Sequence, residues 1–428
     1  MYNKPGSTFK IMKKLFCFLA MWLCLASPAL DAQDRAAQRQ SLQNELDRLR
    51  AQQQTIATRL ERLELADLQD QLLPWIPRLE PDEYLIKHSL MVLVYDEGSE
   101  QARWVGHIIS PKILDGRITR TNDFRPDPEV RTGSAQEEDY FLKYLQPDST
   151  YEYDGYGYDR GHLAPSADFR WSQIALSESY FYSNMSPQHP DFNRGIWANL
   201  ENEIRSYLYR HPDHPLIVFT GPVLEADLPV QARSPNNLRI PRQYWKAVYD
   251  PQEEKMIAFL MPNAGSDYPV SKFAVPVDSA EAVSGIDLFP ALPDDQEVRL
   301  EAELDKAHWL ESVALGEAEP LDPTQLPRNH FNTLQARRYM DQQTDIHVCG
   351  KVVSARTSRS GNVLINLDKR YPNQIFTIFV RKENLIHFPY DPEKAFENKT
   401  ICANGRVINL GGGPAMFIED ANDLKVLN

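Results

Sequence analysis

The spacing of apolar residues changes along the chain and divides it into segments with different expected structures. Within residues 34–73, apolar side chains recur at every seventh position, at Leu42, Leu49, Ile56 and Leu63. This repeat predicts a helix with a short coiled-coil seam, and Pro74 is expected to end it. The helix is either a stalk that joins copies into a homo-oligomer or a lone amphipathic helix packed on its own domain.

From about Tyr84 the heptad pattern is replaced by short apolar runs separated by Pro, Gly, Asp and Asn. The runs are HSLMVLVYD, ARWVGHIIS, HPLIVFTGPV, QYWKAVYD and KMIAFLMPN, and their composition predicts β-strands. Residues 191–209 instead have apolar side chains at helical spacing, which predicts a helix between strands. Residues 80–312 are therefore predicted to form an α+β domain.

A third change of pattern occurs near residue 315, where proline and acidic residues replace any periodic signal. Residues 313–342 are predicted to be a linker. Residues 343–428 then contain five strand-like runs with a helical interruption, which fits a small all-β barrel of the OB type. Other small β-barrels fit the same pattern.

The N-terminal residues 1–32 have the pattern of an export signal. Lys10, Lys13 and Lys14 precede the apolar run 15–25, and small residues follow it. This run is shorter than the roughly 20 apolar residues that span a bilayer, although an uncleaved anchor is the alternative. No later segment is long and apolar enough to span, so we expect a secreted or periplasmic protein without an integral membrane segment.

Removal of this signal would leave Cys349 and Cys402 as the remaining cysteines. An even number of cysteines in an oxidising compartment predicts a disulfide. The first and fourth strands of an OB-type barrel are neighbours, which would bring these two residues together. Two buried free thiols are the alternative.

The composition bounds the size and the partners of the protein. With 428 residues, 42% of them hydrophobic, the chain can bury more than one core. Its net charge of −14 disfavours a uniformly basic nucleic-acid surface, but residues 346–428 carry an excess of Lys and Arg. An acidic protein can still bind phosphate in a local basic cleft.

Chemistry-bearing residues concentrate around the stretch YDRGHLAPSADFR, residues 158–170. A histidine in this setting can be a proton-transfer group, a metal ligand or a structural core residue. Asn193 follows His162 by 31 positions and Glu201 follows Asn193 by 8. At about 100° per residue, eight positions turn a helix by roughly 80° beyond two full turns. Asn193 and Glu201 can therefore border the same cleft.

These segments resemble the DNA/RNA non-specific endonucleases with the ββα-metal fold. The resemblance is carried by DRGH at 159–162, SNMSPQ at 183–188 and FNRGIWANLE at 192–201, followed by TGPV, IPRQYWK and GIDLF. It implies a nuclease domain with a central antiparallel sheet and an enzyme that hydrolyses phosphodiester bonds in DNA and RNA.

The resemblance also implies roles for individual residues. His162 matches the general base that takes a proton from the attacking water. Asn193 matches the direct protein ligand of a divalent cation, usually Mg²⁺ with Mn²⁺ as a substitute. Glu201 matches the carboxylate that binds this metal through water.

Four further positions match supporting residues of the family. Arg160 and Arg120 match arginines near the scissile phosphate, and Asp159 and Asn184 match residues that support the site.

The residue types suit this chemistry for general reasons. A histidine can accept a proton near neutral pH, Mg²⁺ prefers oxygen ligands, and arginine binds phosphate in a bidentate manner. None of these groups reads a base edge, so specificity for the backbone is expected.

Structural interpretations of the same residues remain open. His162 could be structural, Asn193 could cap the helix, and Glu201 could pair with Arg205 one turn later. The corresponding alternative function is a catalytically inert extracytoplasmic protein that binds nucleic acid or acts as a scaffold. In the barrel, Tyr371, Phe376 and Phe379 are candidate contacts for single-stranded nucleic acid, since OB-type barrels combine base stacking with charge.

Overall fold

The computed structural model of the chain describes residues 8–116, 118–310, 317–371, 374–411 and 413–427, and for residues 8–33, Asp115 and Tyr209 it describes the backbone alone. Residues 1–64 form one unit and residues 65–428 a second. The expected export signal, residues 1–32, has its side chains outside the described residues. Within the described part, no helix is both long enough and apolar enough to cross a membrane.

A single helix, α1 (Thr8–Leu72), dominates the N-terminal part of the chain. It gives way to a short 3-10 turn, Leu73–Trp75, because Pro74 cannot continue the α-helical hydrogen bonding. The heptad residues Leu42, Leu49, Ile56 and Leu63 are all exposed. The predicted helix is thus confirmed and extends toward the N-terminus, while its role in self-association stays a prediction.

The second unit has strands at all five apolar runs that predicted them, together with shorter strands outside those runs. In chain order these are β1 (Leu85–Lys87), β2 (Met91–Asp96), β3 (Gln101–Ile109), β4 (Phe141–Leu145), β5 (Tyr151–Gly155), β6 (Asp159–His162), β7 (Met185–Gln188), β8 (Leu216–Pro222), β9 (Gln243–Asp250), β10 (Lys255–Pro262) and β11 (Ala274–Val275). Seven of them form an antiparallel sheet in the order β1-β2-β3-β8-β9-β10-β11. This sheet confirms the predicted α+β class.

Helices cover the central sheet and bury its apolar side chains. They are α2 (Gln173–Glu178), α3 (Ala198–Arg210), α4 (Val277–Ser284), α5 (Asp294–Ala302) and α6 (Lys306–Trp309). Every residue of β8 is buried, which agrees with its nearly unbroken apolar sequence. Outside this sheet, β4 pairs with β5 and β6 pairs with β7.

The C-terminal part of the second unit is a closed β-barrel. Its strands are β12 (His330–Asn332), β13 (Asp345–Thr357), β14 (Val363–Leu367), β15 (Phe376–Val380), β16 (Thr400–Leu410), β17 (Gly413–Ile418) and β18 (Leu424–Val426), with the helical turn α7 (Pro392–Ala395) between β15 and β16. Strands follow the order β13-β14-β15-β17-β16, and β16 pairs back with β13 to close the barrel. The predicted five-stranded barrel is therefore confirmed.

Strand pairing explains the disulfide of the barrel. Cys349 on β13 lies directly opposite Cys402 on β16, with their Cα atoms 4.0 Å apart. Their sulfur atoms are bonded, as the cysteine count predicted.

The segment predicted as a linker, residues 313–342, contains regular structure in its described part. Strand β12 lies within it and pairs in parallel with β13. A three-residue edge strand is too short to produce a periodic signal in the sequence. The barrel sheet therefore begins before residue 343.

A buried cluster of charges joins the barrel to the nuclease-like domain. Lys369, in the loop after β14, contacts the carboxylate of Glu203 on α3 and lies 3.5 Å from Glu317. All three residues are buried. Because a buried charge needs its partners, this cluster favours one position of the barrel against α3.

Candidate functional site

The candidate site is built from a ββα unit at one side of the central sheet. Strand β6 ends at His162 and pairs antiparallel with β7, so that His162 lies opposite Met185. A Cβ on Gly161 would lie only 2.1 Å from the side chain of Gln188, which explains why glycine occupies this position of β6. The chain then passes from β7 through residues 189–191 into a helical segment that carries Asn193.

That helical segment is irregular where a regular helix was expected. Phe192–Trp197 forms a wide π-helical turn before α3, and Gly195 has non-helical backbone angles of φ −110° and ψ −109°. The inference that eight regular helical positions relate Asn193 to Glu201 was therefore wrong. A kink, rather than helical periodicity, orients these two side chains relative to each other, and such local π turns recur at functional sites.

Asp159 fixes the orientation of the Asn193 amide. Its Oδ2 accepts a hydrogen bond of 2.9 Å from Asn193 Nδ2 and one of 2.7 Å from Arg194 Nε. Since the amide nitrogen of Asn193 is held in this way, its Oδ1 is the atom left to face a cation. This is the geometry that a carboxylate supporting a metal ligand would provide.

His162 and Arg160 lie on the same side of β6, as strand alternation requires. The His162 ring packs 5.8 Å from the Phe124 ring and 5.1 Å, edge-on, from the Tyr180 ring, measured between centroids. The Arg160 guanidinium lies 3.7 Å from the centroid of the same Phe124 ring and donates to the hydroxyl of Tyr182 at 3.2 Å. The aromatic side chains thus set the positions of both functional groups.

The environment of His162 keeps its imidazole neutral. The residue is only 8% exposed, and its enclosed Nε2 has no hydrogen-bond partner among the described residues. Burial, with the positive charges of Arg120 and Arg160, lowers its pKa to about 3. The ring nitrogen is therefore unprotonated at neutral pH, and an anionic ligand that offsets the two cations would restore part of its basicity.

Arg120 acts electrostatically on two of the candidate residues. It is exposed and lies in the loop after residue 117, where its charge contributes to the lowered pKa of His162 and opposes the rise in the pKa of Glu201. The structure therefore brings Arg120 into the neighbourhood of the groups with which the sequence motif associated it.

Glu201 lies in the first turn of α3, and 14% of its side chain is exposed. Burial raises its pKa to about 7, while the nearby cations Arg205, Lys246 and Arg120 act in the opposite direction. Arg205 Nη2 is 3.9 Å from the Glu201 carboxylate but only 2.7 Å separates Arg205 Nη1 from Asp168. The intrahelical pair considered from the sequence thus exists but is the weaker contact of Arg205.

Asn184 supports the backbone that follows His162. Its Oδ1 accepts from the backbone N–H of Ala164, and its Nδ2 donates to the carbonyl oxygens of Ala164 and Ser179, all within 2.8–2.9 Å. The residue is completely buried. Its contacts fix the backbone just after β6, at Ala164, against the backbone at Ser179.

Lys246 is a charged residue near the site to which the sequence analysis assigned no role. It is buried on β9 and donates to Thr220 Oγ1 at 2.6 Å and to the carbonyl oxygen of Leu163 at 3.2 Å. Burial lowers its pKa to about 8, although the neighbouring Glu201 opposes this shift. Two signals in the sequence pointed to it: Lys246 ends the motif IPRQYWK, and it is a lysine within an otherwise apolar strand.

The barrel residues are not equivalent in their exposure. Tyr371 is 68% exposed, and the Arg356 guanidinium lies 5.6 Å from its ring centroid. Phe379 is half-buried and packs edge-on against Phe417. Phe376 is fully buried in the barrel core, so the expectation that it contacts nucleic acid was wrong.

Comparison with known proteins gives an independent view of the same region. The model of a family described as DNA/RNA non-specific endonuclease matches residues 78–295. Endonuclease G, mitochondrial, from Homo sapiens is 32% identical over 213 residues, covering 46% of this chain and 67% of the relative. Nuclease C1 from Cunninghamella echinulata var. echinulata is 30% identical over 226 residues, covering 48% of this chain and 83% of the relative. A chain in a solved structure of an EndoG/EndoGI complex is 28% identical, with 53% of this chain and 92% of that chain covered and a TM-score of 0.43.

Proposed function

The chain belongs to the DNA/RNA non-specific endonuclease family, and from this membership and its site geometry we propose that it is an exported, Mg²⁺-dependent nuclease that hydrolyses phosphodiester bonds in DNA and RNA. Its assignment as a nuclease enzyme rests on the family. The metal, the two substrates, the location and the role of each residue are the proposal.

The observation that carries the mechanism is the unsatisfied Nε2 of His162 beside Arg120 and Arg160. A buried polar atom without a partner is costly unless a ligand or water completes its hydrogen bonding. In the proposed reaction, neutral His162 accepts a proton from the water whose oxygen forms the new bond to phosphorus. The bond from phosphorus to the 3′ oxygen breaks, that oxygen takes a proton from solvent water, His162 returns its proton to solvent, and a 5′-phosphate end remains.

The two arginines hold the substrate for this step. Arg160 is oriented by Phe124 and Tyr182, while Arg120 is exposed and can reach toward a phosphate in solution. Both guanidinium groups would neutralise the phosphate oxygens as the negative charge of those oxygens grows. Because they contact only the backbone, cleavage independent of sequence is expected.

The side chains on the other side of the site fit a hard divalent cation. The amide oxygen of Asn193, oriented by Asp159, would be the direct ligand, and the Glu201 carboxylate would bind the ion through water. A bound Mg²⁺, or Mn²⁺ in its place, would supply electrostatic stabilisation of the leaving oxygen and the phosphate.

Nicking of supercoiled plasmid tests the proposal directly. With Mg²⁺ the full chain should nick plasmid DNA and should also cleave a structured RNA. EDTA should abolish both reactions. His162→Ala should lower the rate by at least about 10²-fold, the usual minimum for loss of a general base. His387→Ala, which removes an exposed histidine of the barrel, should leave the rate unchanged. Full activity of His162→Ala would refute the mechanism, and absence of cleavage by the wild type would favour the inert binding or scaffold protein.

Secretion or residence in the periplasm is supported by two features. The lysines and apolar run of residues 1–32 have the pattern of an export signal, and the Cys349–Cys402 disulfide suits an oxidising compartment. An N-terminal sequence of the mature protein that begins near residue 33 would support export.

Two further parts of the chain are proposed to assist the nuclease domain. Residues 34–73 would join copies of the chain through their exposed heptad seam. The barrel would bind single-stranded nucleic acid weakly through Tyr371 and Phe379, together with nearby arginines such as Arg356 and Arg381.

A further inference from the structure

A second group of carboxylates lies outside the candidate active site, where α4 packs beside α5. Asp278 and Glu281 belong to α4, and Glu301 belongs to α5. One carboxylate oxygen from each of the three residues lies within 4.8 Å of the other two. The two helices are joined by a loop that begins at Gly285, whose positive φ of 68° ends α4.

Glu301 is the unusual member of this cluster. It is only 6% exposed, yet its Oε1 has no hydrogen-bond partner among the described residues. In the same part of the chain, no ion pair joins Asp278, Glu281 or Glu301 to a basic side chain. A buried carboxylate oxygen that lacks both a hydrogen bond and a counter-ion needs a ligand to offset its desolvation.

The surroundings increase the negative potential instead of relieving it. Asp287 and Glu297 lie close enough to act on both Glu281 and Glu301. Arg78 lies 3.5 Å from Asp287 and is largely exposed. Glu281 accepts one hydrogen bond of 2.7 Å from the backbone N–H of Leu288, which orients its carboxylate toward the cluster.

We propose that Asp278, Glu281 and Glu301 bind a calcium ion that links α4 to α5. Three carboxylates supply hard oxygen ligands and no nitrogen or sulfur, which excludes a zinc-type site. Ca²⁺ tolerates an irregular arrangement of six to eight oxygen ligands, whereas Mg²⁺ requires a nearly ideal octahedron. Asp278 is exposed, so water can complete the coordination from the solvent side.

Thermal unfolding of the full chain tests the site after removal of metals with EDTA. At pH 8, millimolar CaCl₂ should raise the Tm of the wild type by about 3 °C or more. Glu301→Gln and Glu281→Gln should lose this shift, and Asp278→Asn, which alters only an exposed ligand, should reduce it. Asp295→Asn removes an exposed carboxylate of the same helix α5 and is the matched control that should retain the full shift.

A parallel measurement separates this site from the proposed catalytic metal. Asn193→Ala should retain the calcium-induced rise in Tm, because the α4–α5 cluster does not include that residue. A shift that is lost in Asn193→Ala but retained in Glu301→Gln and Glu281→Gln would assign the calcium to the nuclease site and overturn the proposal. No calcium-induced shift in the wild type would also overturn it.

Discussion

Asn193 donates its side-chain Nδ2 to Asp159 Oδ2 at 2.9 Å, so the proposed metal ligand is oriented by a carboxylate three residues before the proposed general base. Strand β6 thereby contributes to both halves of the site. The carboxylate of Asp159 also accepts a hydrogen bond from Arg194, and this second contact restricts the rotation of the Asp159 side chain. Metal affinity should consequently depend on a residue that does not contact the metal.

Replacement of Asp159 by alanine tests this dependence. We expect Asp159→Ala to raise the Mg²⁺ concentration for half-maximal activity by about 10–100-fold, because the Asn193 amide would lose its orienting partner. Asp159→Asn keeps an oxygen acceptor and should show a smaller effect. Asp154→Ala is the control, since this exposed aspartate pairs with Arg233 instead. An unchanged Mg²⁺ requirement in Asp159→Ala would argue against the proposed arrangement.

The depressed pKa of His162 predicts a specific dependence of stability on pH. In the folded state its pKa is about 3, whereas an unfolded histidine titrates near 6.5. The unfolded chain therefore binds more protons between these values, so that this residue reduces stability as the pH falls below about 6.5.

Urea unfolding of His162→Gln at pH 7 and pH 4 would measure that contribution. The wild type should lose about 1–3 kcal/mol more stability than the variant over this interval. His107 also has a lowered pKa because of burial, but it is present in both proteins and cancels in the comparison. Equal losses in the two proteins would show that His162 is not held in its neutral form by the fold.

The sequence indicated candidate residues of the site but not their mutual geometry. Local motifs singled out His162, Asn193 and Glu201 as candidates, but the break at Gly195 depends on tertiary packing that periodicity does not report. Lys246 was missed because its partners Thr220 and Leu163 come from distant parts of the chain.

The misplacement of Phe376 has a simpler cause. Phe376 and Phe379 are three residues apart on β15, so strand alternation places them on opposite faces of the sheet. Only one of the two could face solvent. The alternation of side chains along the strand IFTIFV therefore shows that Phe376 and Phe379 cannot both contact nucleic acid on one face.

The buried charge cluster between barrel and α3 should be essential for stability. In Lys369→Met, the carboxylates of Glu203 and Glu317 would remain buried without their cation, and the free energy of unfolding should fall by about 3–5 kcal/mol. Glu203→Gln added to this variant should recover part of the loss. Lys394→Met changes an exposed lysine and should have little effect. Chemical denaturation measures the free energy of unfolding of each variant. An unchanged value in Lys369→Met would contradict the role of the cluster.

Single-strand binding by the barrel should depend on its exposed aromatic residues. We expect Tyr371→Ala to weaken binding of a labelled oligonucleotide to the full chain at least about fivefold, the effect of losing one modest stacking contact. Phe379→Ala should act in the same direction. Ile386→Ala removes a highly exposed apolar side chain of the same barrel and serves as the control. Affinity that is unchanged in both aromatic variants, measured by fluorescence anisotropy at low salt, would remove nucleic-acid binding from the barrel.

The exposed heptad seam of α1 should make the full chain self-associate. Leu49 and Ile56 are both more than half exposed, and a second copy of the helix would bury them in a coiled coil. Light scattering coupled to size exclusion should give a multiple of the 49.2 kDa chain mass, reduced only by removal of the signal. Leu49→Glu combined with Ile56→Glu should yield the monomer, because charge at seam positions opposes burial, whereas Gln54→Glu on the outer face should not. A monomeric wild type would rule out the stalk and leave α1 as a solitary amphipathic helix.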